Sequence, residues 1–294
     1  MDNLHKHVYT HVYENVNGVT LHVVQAGPED GPLLIFLHGF PEYWHGWHKQ
    51  IDFFAAAGFR VWVPDQRGYN LSSKPRRVQD YNLDTLAKDV VGLIDTAAAK
   101  QAYLVGHDWG GAAAWWTAVS YPDHLKKLCI MNVAHHSVMR RALQKQWRQR
   151  LKSWYMLYFQ LPKLPERMLK AGNYFALARQ MRQSSRPGTF SAAELDLYRQ
   201  AWAQPGALTA MLNWYRALFQ TTPQTAITNL VQMPTLVIWG KQDKFMQAEM
   251  AQQSIEYCVN GRLIYFDNAT HWVMHEEADK VNNCLLDFLL DEQE

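Results

Sequence analysis

The sequence predicts an α/β protein: a mostly parallel, twisted sheet flanked by helices, carrying one inserted all-helical domain. Three observations predict it. Short apolar runs alternate with amphipathic helical stretches, the pattern of a sheet covered on both faces. The alternation stops near residue 135 and resumes near 223. And the stretch Tyr103-Leu-Val-Gly106-His-Asp108-Trp-Gly110-Gly111 passes from an apolar strand into a helix around an acid with a glycine on either side. Only glycines beside it let a reactive residue sit on so sharp a strand-to-helix turn, a nucleophile elbow.

The elements follow in order. Val8 to Val16 alternates loosely, Asn17-Gly18 is a strong hairpin signal, and Val19 to Gln25 alternates again. Leu33 to Leu37 is a fully apolar run, as a strand buried on both faces requires. A helix is expected over Tyr43 to Gly58, a strand over Arg60 to Pro64, and a helix over Asn82 to Ala99 with Leu83, Leu86, Val90, Leu93 and Ile94 on one face. The elbow strand and the helix Trp109 to Ser120 come next, then a strand over Leu125 to Val133. From His135 to Thr222 no strand is expected. The stretch is helical, rich in Trp, Tyr, Leu, Arg and Gln, and too long for a loop. Strands at Met233 to Gly240 and Arg262 to Phe266 and helices at Ala248 to Tyr257 and Glu276 to Leu290 complete the chain. The expected division is a core of residues 1–134 and 223–294 and a helical insert of residues 135–222.

Composition narrows the function classes. With 48% hydrophobic, 19% charged and 13% aromatic residues in 294, the chain has ample material for a core. Twelve tryptophans imply aromatic-rich helices or an aromatic-lined cavity. A formal net charge of +2 demands no nucleic-acid partner, and no nucleic-acid motif is present. Cys129, Cys258 and Cys284 are too scattered for a disulfide framework or a metal site. The polar, His-rich N-terminus and the lack of an 18-residue apolar run point to a cytoplasmic setting without signal peptide or membrane span. Charge is uneven, however: Arg140 to Arg186 holds twelve Lys and Arg against one acid, Glu166, a formal +11.

An aspartate at an elbow costs several kcal/mol of desolvation unless paired, about that much on general grounds. The alternative role, capping the following helix, leaves the rest of the constellation unexplained. Elbow logic calls for an acid after a late strand and a histidine after the last one. Asp243 follows the strand ending at Trp239, and His271 follows the strand ending at Phe266. The oxyanion hole should come from the Trp109 amide, next to the nucleophile, and from the loop His38-Gly-Phe40-Pro41, with Phe40 as donor.

His38-Gly-Phe-Pro-Glu42, Asp65-Gln-Arg-Gly-Tyr-Asn-Leu-Ser72, Gly106-His-Asp-Trp-Gly110, Trp239-Gly-Lys-Gln-Asp243 and His271-Trp272, in this order, resemble the α/β-hydrolase-fold epoxide hydrolases of the soluble branch. The resemblance runs from about residue 8 to 290. It implies that the insert is a cap and that two cap tyrosines face the nucleophile: Tyr215, in Asn213-Trp-Tyr-Arg216, and Tyr155, in Trp154-Tyr-Met-Leu-Tyr158, with Tyr158 a close competitor. Pro41, Trp109 and Trp272 are the expected substrate contacts, and no metal or organic cofactor is expected.

Chemistry agrees. A carboxylate nucleophile suits an sp³ carbon bearing a leaving group and yields an alkyl-enzyme ester. An epoxide oxygen leaves as an alkoxide and needs donors such as two phenols, whereas a halide wants indole or amide N–H groups. The expected substrates are therefore an epoxide and water, the product a vicinal diol. Dehalogenation of a haloalkane or haloacid is the same-fold alternative, and a non-catalytic ligand-binding protein is the one from a different class. The oligomeric state, monomer or homodimer, is open. The basic stretch is first a set of solvated helix faces, then an attractant for an anionic epoxide at the cavity mouth, and third a contact for a membrane or acidic partner.

Overall fold

The computed structural model describes residues 9–291. Eight strands form one sheet: β1 (Thr10–Val16), β2 (Val19–Ala26), β3 (Leu33–Leu37), β4 (Arg60–Pro64), β5 (Ala102–His107), β6 (Leu125–Met131), β7 (Thr235–Gly240) and β8 (Gly261–Phe266). Their order is β1-β2-β4-β3-β5-β6-β7-β8. The β1/β2 hairpin pairs antiparallel and β2 joins β4 antiparallel; all other pairings are parallel. Val8, expected to begin the first strand, lies outside the described residues.

Side chains alternate between the two sheet faces as strand geometry requires. Leu34, Phe36, Val105, Met131 and Ile238 face α1 (His48–Ala56) and, from the far end of the chain, Val281, Leu285 and Phe288. Leu33, Ile35, Leu104, Ile130 and Val237 face α2 (Leu83–Thr96) and α3 (Asp108–Ser120). The central strands β3, β5 and β7 are buried at every residue, which is why they read as unbroken apolar runs.

Between β6 and β7 the described residues contain helices and no strand: α4 (His136–Lys145), α5 (Trp147–Lys152), α6 (Trp154–Tyr158), α7 (Leu164–Ser184, kinked where Gly172, Asn173 and Tyr174 turn left-handed), α8 (Ala192–Trp202) and α9 (Ala207–Gln220). Ser191 and Glu194 form a capping box that starts α8. The insert is tied to the loops at the carboxyl ends of the strands by aromatic donors. Trp202 Nε1 donates to Pro41 O at 2.6 Å, Trp214 Nε1 to Arg67 O at 2.9 Å, and Tyr198 OH to Glu42 Oε1 at 2.8 Å. Buried indoles such as Trp202 and Trp214 thus pack the seam between insert and sheet while bonding across it. The chain ends in α10 (Glu249–Ile255), α11 (Val273–Glu276) and α12 (Ala278–Leu290). No helix among the described residues is long and apolar enough to cross a membrane.

Boundaries shift from expectation where side chains intervene. The helix expected from Tyr43 opens with a 3₁₀ turn, Trp44–Trp47, before α1. β6 stops at Met131 rather than Val133 because Asn132 turns left-handed, at φ 47°, and uses its side chain to accept from Gly240 N at 3.0 Å. β7 starts after Pro234, which has no N–H to give a ladder. The last helix, expected from Glu276 to Leu290, begins at Ala278, and a separate short helix over Val273–Glu276 precedes it. The Glu276 carboxylate there accepts from Thr270 N, Thr270 Oγ1 and Arg186 N, each at 2.7 Å, joining the loop after β8 to the insert.

Candidate active site

Strand order places the site before any side chain is considered. β3 is followed in sequence by β4 on one side, and β5 lies on its other side. The chain therefore reverses direction across the sheet between β3 and β5, and ligands of open α/β sheets bind at the carboxyl ends beside such a point. The loop after β3 carries Phe40, and β5 runs directly into Asp108.

Asp108 sits at φ 48°, a left-handed conformation that a non-glycine residue adopts only when its surroundings enforce it. The glycines show what enforces it. A Cβ on Gly110 would lie 2.2 Å from Leu37 O, and one on Gly39 would lie 2.5 Å from Asp108 Cβ. The backbone of β3's loop therefore closes directly onto the elbow. The Phe40 N–H donates to Asp108 Oδ1 at 2.8 Å, so the carboxylate takes an amide from across the sheet. Its place at the start of α3 also favours its negative charge.

Asp243 and His271 converge on the same point from β7 and β8. His271 Nδ1 donates to Asp243 Oδ2 at 2.8 Å, and His271 Nε2 lies 3.6 Å from Asp108 Oδ2. Asp243 is fixed by Asn132 Nδ2 at 2.8 Å and by the amides of Phe245 and Met246 at 2.7 and 3.0 Å. Burial works against the charge of all three groups, and the geometry outweighs it. Asp243 and Asp108 together raise His271 to about 10. His271, with the Phe40 amide on one acid and Asn132 and Phe245 on the other, holds both aspartates below the usual carboxylate range.

Asp108 and His271 open into a small cavity with Phe40, Pro41, Tyr155, Tyr215, Phe245 and Trp272 among its walls. The rings of Tyr155 and Tyr215 stand 5.9 Å apart, nearly perpendicular. Burial raises both phenols far above their ordinary value, and the charge of Asp108 adds to it, so both are proton-bearing donors. Tyr158 packs against Trp154 and Phe159 and is not part of the wall. Nor is Trp109, whose ring packs edge-on against Tyr215 at 5.0 Å. Trp272 lines the cavity and donates through Nε1 to Ser184 Oγ at 2.9 Å. The cavity volume is about 20 Å³, room for a water and little more. Gln180 and Phe245 also line an open surface depression that takes in Phe175, Arg179 and Lys244. No group of three or more His, Cys, Asp or Glu among the described residues is arranged to hold a metal ion.

Two supports escaped the sequence reading. Asn132 had no visible motif; only the register of β6 beside β7 brings it to Asp243. Glu42 stood in the first motif without a role. Its fully buried carboxylate lies 2.7 Å from His275 Nε2 and 3.4 Å from His107 Nδ1, and His107 Nε2 donates to the backbone carbonyl of His271 at 2.9 Å. Burial would raise Glu42, but His275 and His107 pull it well below the usual range. A buried carboxylate held between two histidines thus braces the backbone of His271.

A strand-to-helix elbow with its acid and histidine at the ends of later parallel strands defines an α/β hydrolase, and the chain belongs to that family: a model of the α/β-hydrolase fold matches residues 32–278. Within it the chain falls in the branch that holds the epoxide hydrolases. It is 46% identical to the Bacillus subtilis AB hydrolase superfamily protein YfhM over 94% of this chain and 96% of that one. It is 31% identical to Epoxide hydrolase A of Mycobacterium tuberculosis, over 94% and 95% of the two chains. The crystal structure of a Bacillus megaterium epoxide hydrolase in complex with an inhibitor superposes with a TM-score of 0.85 at 32% identity, covering 95% of this chain and 99% of that one.

Proposed function

We propose that the protein hydrolyses an epoxide to a vicinal diol, through an ester on Asp108, beneath a cap formed by residues 135–222. The observation that carries this reading is the placement of two proton-bearing phenols, Tyr155 and Tyr215, in one cavity wall with the carboxylate of Asp108. The relatives named epoxide hydrolase support it.

The geometry suggests how the steps divide. Asp108 Oδ1 is held by the Phe40 amide, so Oδ2 is the free nucleophile. Its attack on an epoxide carbon breaks the C–O bond, and Tyr155 and Tyr215 donate to the departing oxygen. The product is a hydroxyalkyl ester whose carbonyl oxygen, Oδ1, already rests on Phe40 N–H. The Trp109 amide, an unsatisfied donor of the first turn of α3, is the second member of the oxyanion hole. His271, oriented by Asp243, then takes a proton from water, which attacks Cγ of Asp108. The Cγ–Oδ2 bond breaks, Oδ2 takes the proton that His271 has just gained, and the diol leaves with Oδ2 while Asp108 returns as a carboxylate. Esterification removes one of the two charges that hold the proton on His271, so the base becomes available when it is needed.

In a single turnover in oxygen-labelled water, label should appear in Asp108 and not in the diol. Label found only in the diol would mean direct attack by water and no ester. Changing Tyr155 and Tyr215 together to phenylalanine should lower diol formation by about 10³-fold or more, since general-acid assistance is worth ~10²–10⁴. The rate on a haloalkane separates the two leaving-group chemistries: if it survived in the double variant while exceeding the epoxide rate in the parent, dehalogenation would replace this reading.

A further inference from the structure

The solvent side of the insert carries an apolar row that the reaction does not use. Trp147, Leu151, Trp154, Leu157, Leu161 and Leu164 recur every three or four residues across α5, α6 and the turn that leads into α7. Yet each is exposed by 45 to 64%, and Met168, four residues on, is 59% exposed. The opposite side of the same stretch holds it to the protein. Gln149, Ser153, Met156 and Phe159 are buried there, and Gln149 Nε2 donates to Phe245 O at 2.8 Å. The outward residues are therefore not a core face waiting for its own sheet, and so many large exposed apolar side chains in one short stretch mark an interaction surface.

Charge is a second, independent observation. The twelve Lys and Arg between Arg140 and Arg186 face one acid of their own stretch, Glu166, and Glu166 pairs at 2.8 Å with Arg216, outside it. Among the described residues, Arg186 alone of the twelve forms ion pairs with carboxylates, Glu276 and Glu277. Arg150 on α5, Lys163 in the turn before α7, and Arg167 and Lys170 on α7 are exposed along the same stretch, and Arg148 lies over the Trp147 ring at 5.5 Å. A second copy of this chain would set like charge against like charge. Tryptophan and leucine interleaved with Lys and Arg instead match the boundary between acyl chains and anionic headgroups.

We propose that this face of the helical insert docks on an anionic phospholipid surface, lying on the bilayer without crossing it. Phe175, 60% exposed on α7, adds a further outward aromatic ring to the insert.

The test is sedimentation of the whole protein with vesicles of phosphatidylcholine alone or with about 30% phosphatidylglycerol, at about 0.05 M and about 0.5 M salt. The parent should pellet with the anionic vesicles at low salt and bind at least ~tenfold more weakly to neutral vesicles or at high salt. Two double variants, Trp147→Ser with Trp154→Ser and Arg150→Glu with Lys163→Glu, should each lose about tenfold or more of that binding while keeping circular dichroism and melting temperature. Failure of the parent to pellet with anionic vesicles overturns the proposal, as does equal binding by folded variants or by neutral vesicles. A homodimer seen by light scattering that the same substitutions dissolve, with no vesicle binding, would assign the face to a second copy instead.

Discussion

Asp108→Ala should lower kcat by about 10⁵-fold or more, because no other group within reach of the cavity can form the ester and bimolecular attack by water must replace it. The expected cost to folding is small by comparison. Alanine is less tolerant of the left-handed backbone at φ 48°, a penalty of about 1 kcal/mol, and a melting point a few degrees lower is what that predicts. Activity loss and stability loss are thus separable by magnitude. Turnover within tenfold of the parent, with the fold intact, would remove Asp108 from the nucleophile's place and with it the whole ester scheme.

His271→Gln should do something different: stop the reaction halfway. Asp108 remains ionised and the Phe40 amide remains on Oδ1, so one epoxide per enzyme is opened and the ester accumulates. Intact mass should rise by the mass of one substrate, while steady-state turnover falls by about 10⁴-fold, the usual scale for losing the base of such a triad. The pH dependence follows from the same electrostatics. In the free enzyme His271 is raised to about 10 by Asp243 and Asp108, against burial, which lowers it. In the ester only Asp243 remains charged, so the pKa of His271 drops, and hydrolysis speeds up as pH rises through that lower value. Attack on the epoxide needs Asp108 ionised, and its pKa is lowered, so kcat/KM should hold level into the acid range while kcat declines. If the His271 variant formed no adduct, the histidine would be needed for the first step as well.

Both expectations rest on residues that were legible in the sequence, and the reason is local. The elbow advertises itself because its glycines are needed within a few residues of the nucleophile: Gly110 for contact with Leu37 O, Gly106 for contact with Gly110 itself. Asp243 and His271 were legible because each follows a strand at short range, and parallel strands in one sheet deliver their carboxyl ends to one edge. The long apolar runs of β3, β5 and β7 likewise state their double burial directly. Fold class, the order of elements and three site residues are all consequences of spacing along the chain.

What spacing cannot encode is which side chains meet across it. Glu42 and His275 are 233 residues apart, and nothing near either one announces a buried carboxylate shared between two histidines. Asn132 looks like the end of a strand until β7 is laid beside β6. Tyr155 and Tyr158 differ by three residues on one short helix, and only its seating on the core puts the first toward the cavity and leaves the second beside Trp154. Trp109, next to the nucleophile in sequence, turns out to back Tyr215 rather than face the cavity. The basic insert shows the same division. Its charge could be counted from the sequence, but an apolar row at helical spacing reads as core until packing shows which way it faces. Here Gln149 and Phe159 point inward and Trp147 and Trp154 outward. Local periodicity and turn chemistry make the sheet, the helical stretch and the positions of Asp108, Asp243 and His271 at strand ends readable along the chain. Tertiary structure alone decided what braces the histidine, which tyrosine faces the carboxylate and which side of the insert meets solvent, since burial and long-range contact are properties of the folded chain.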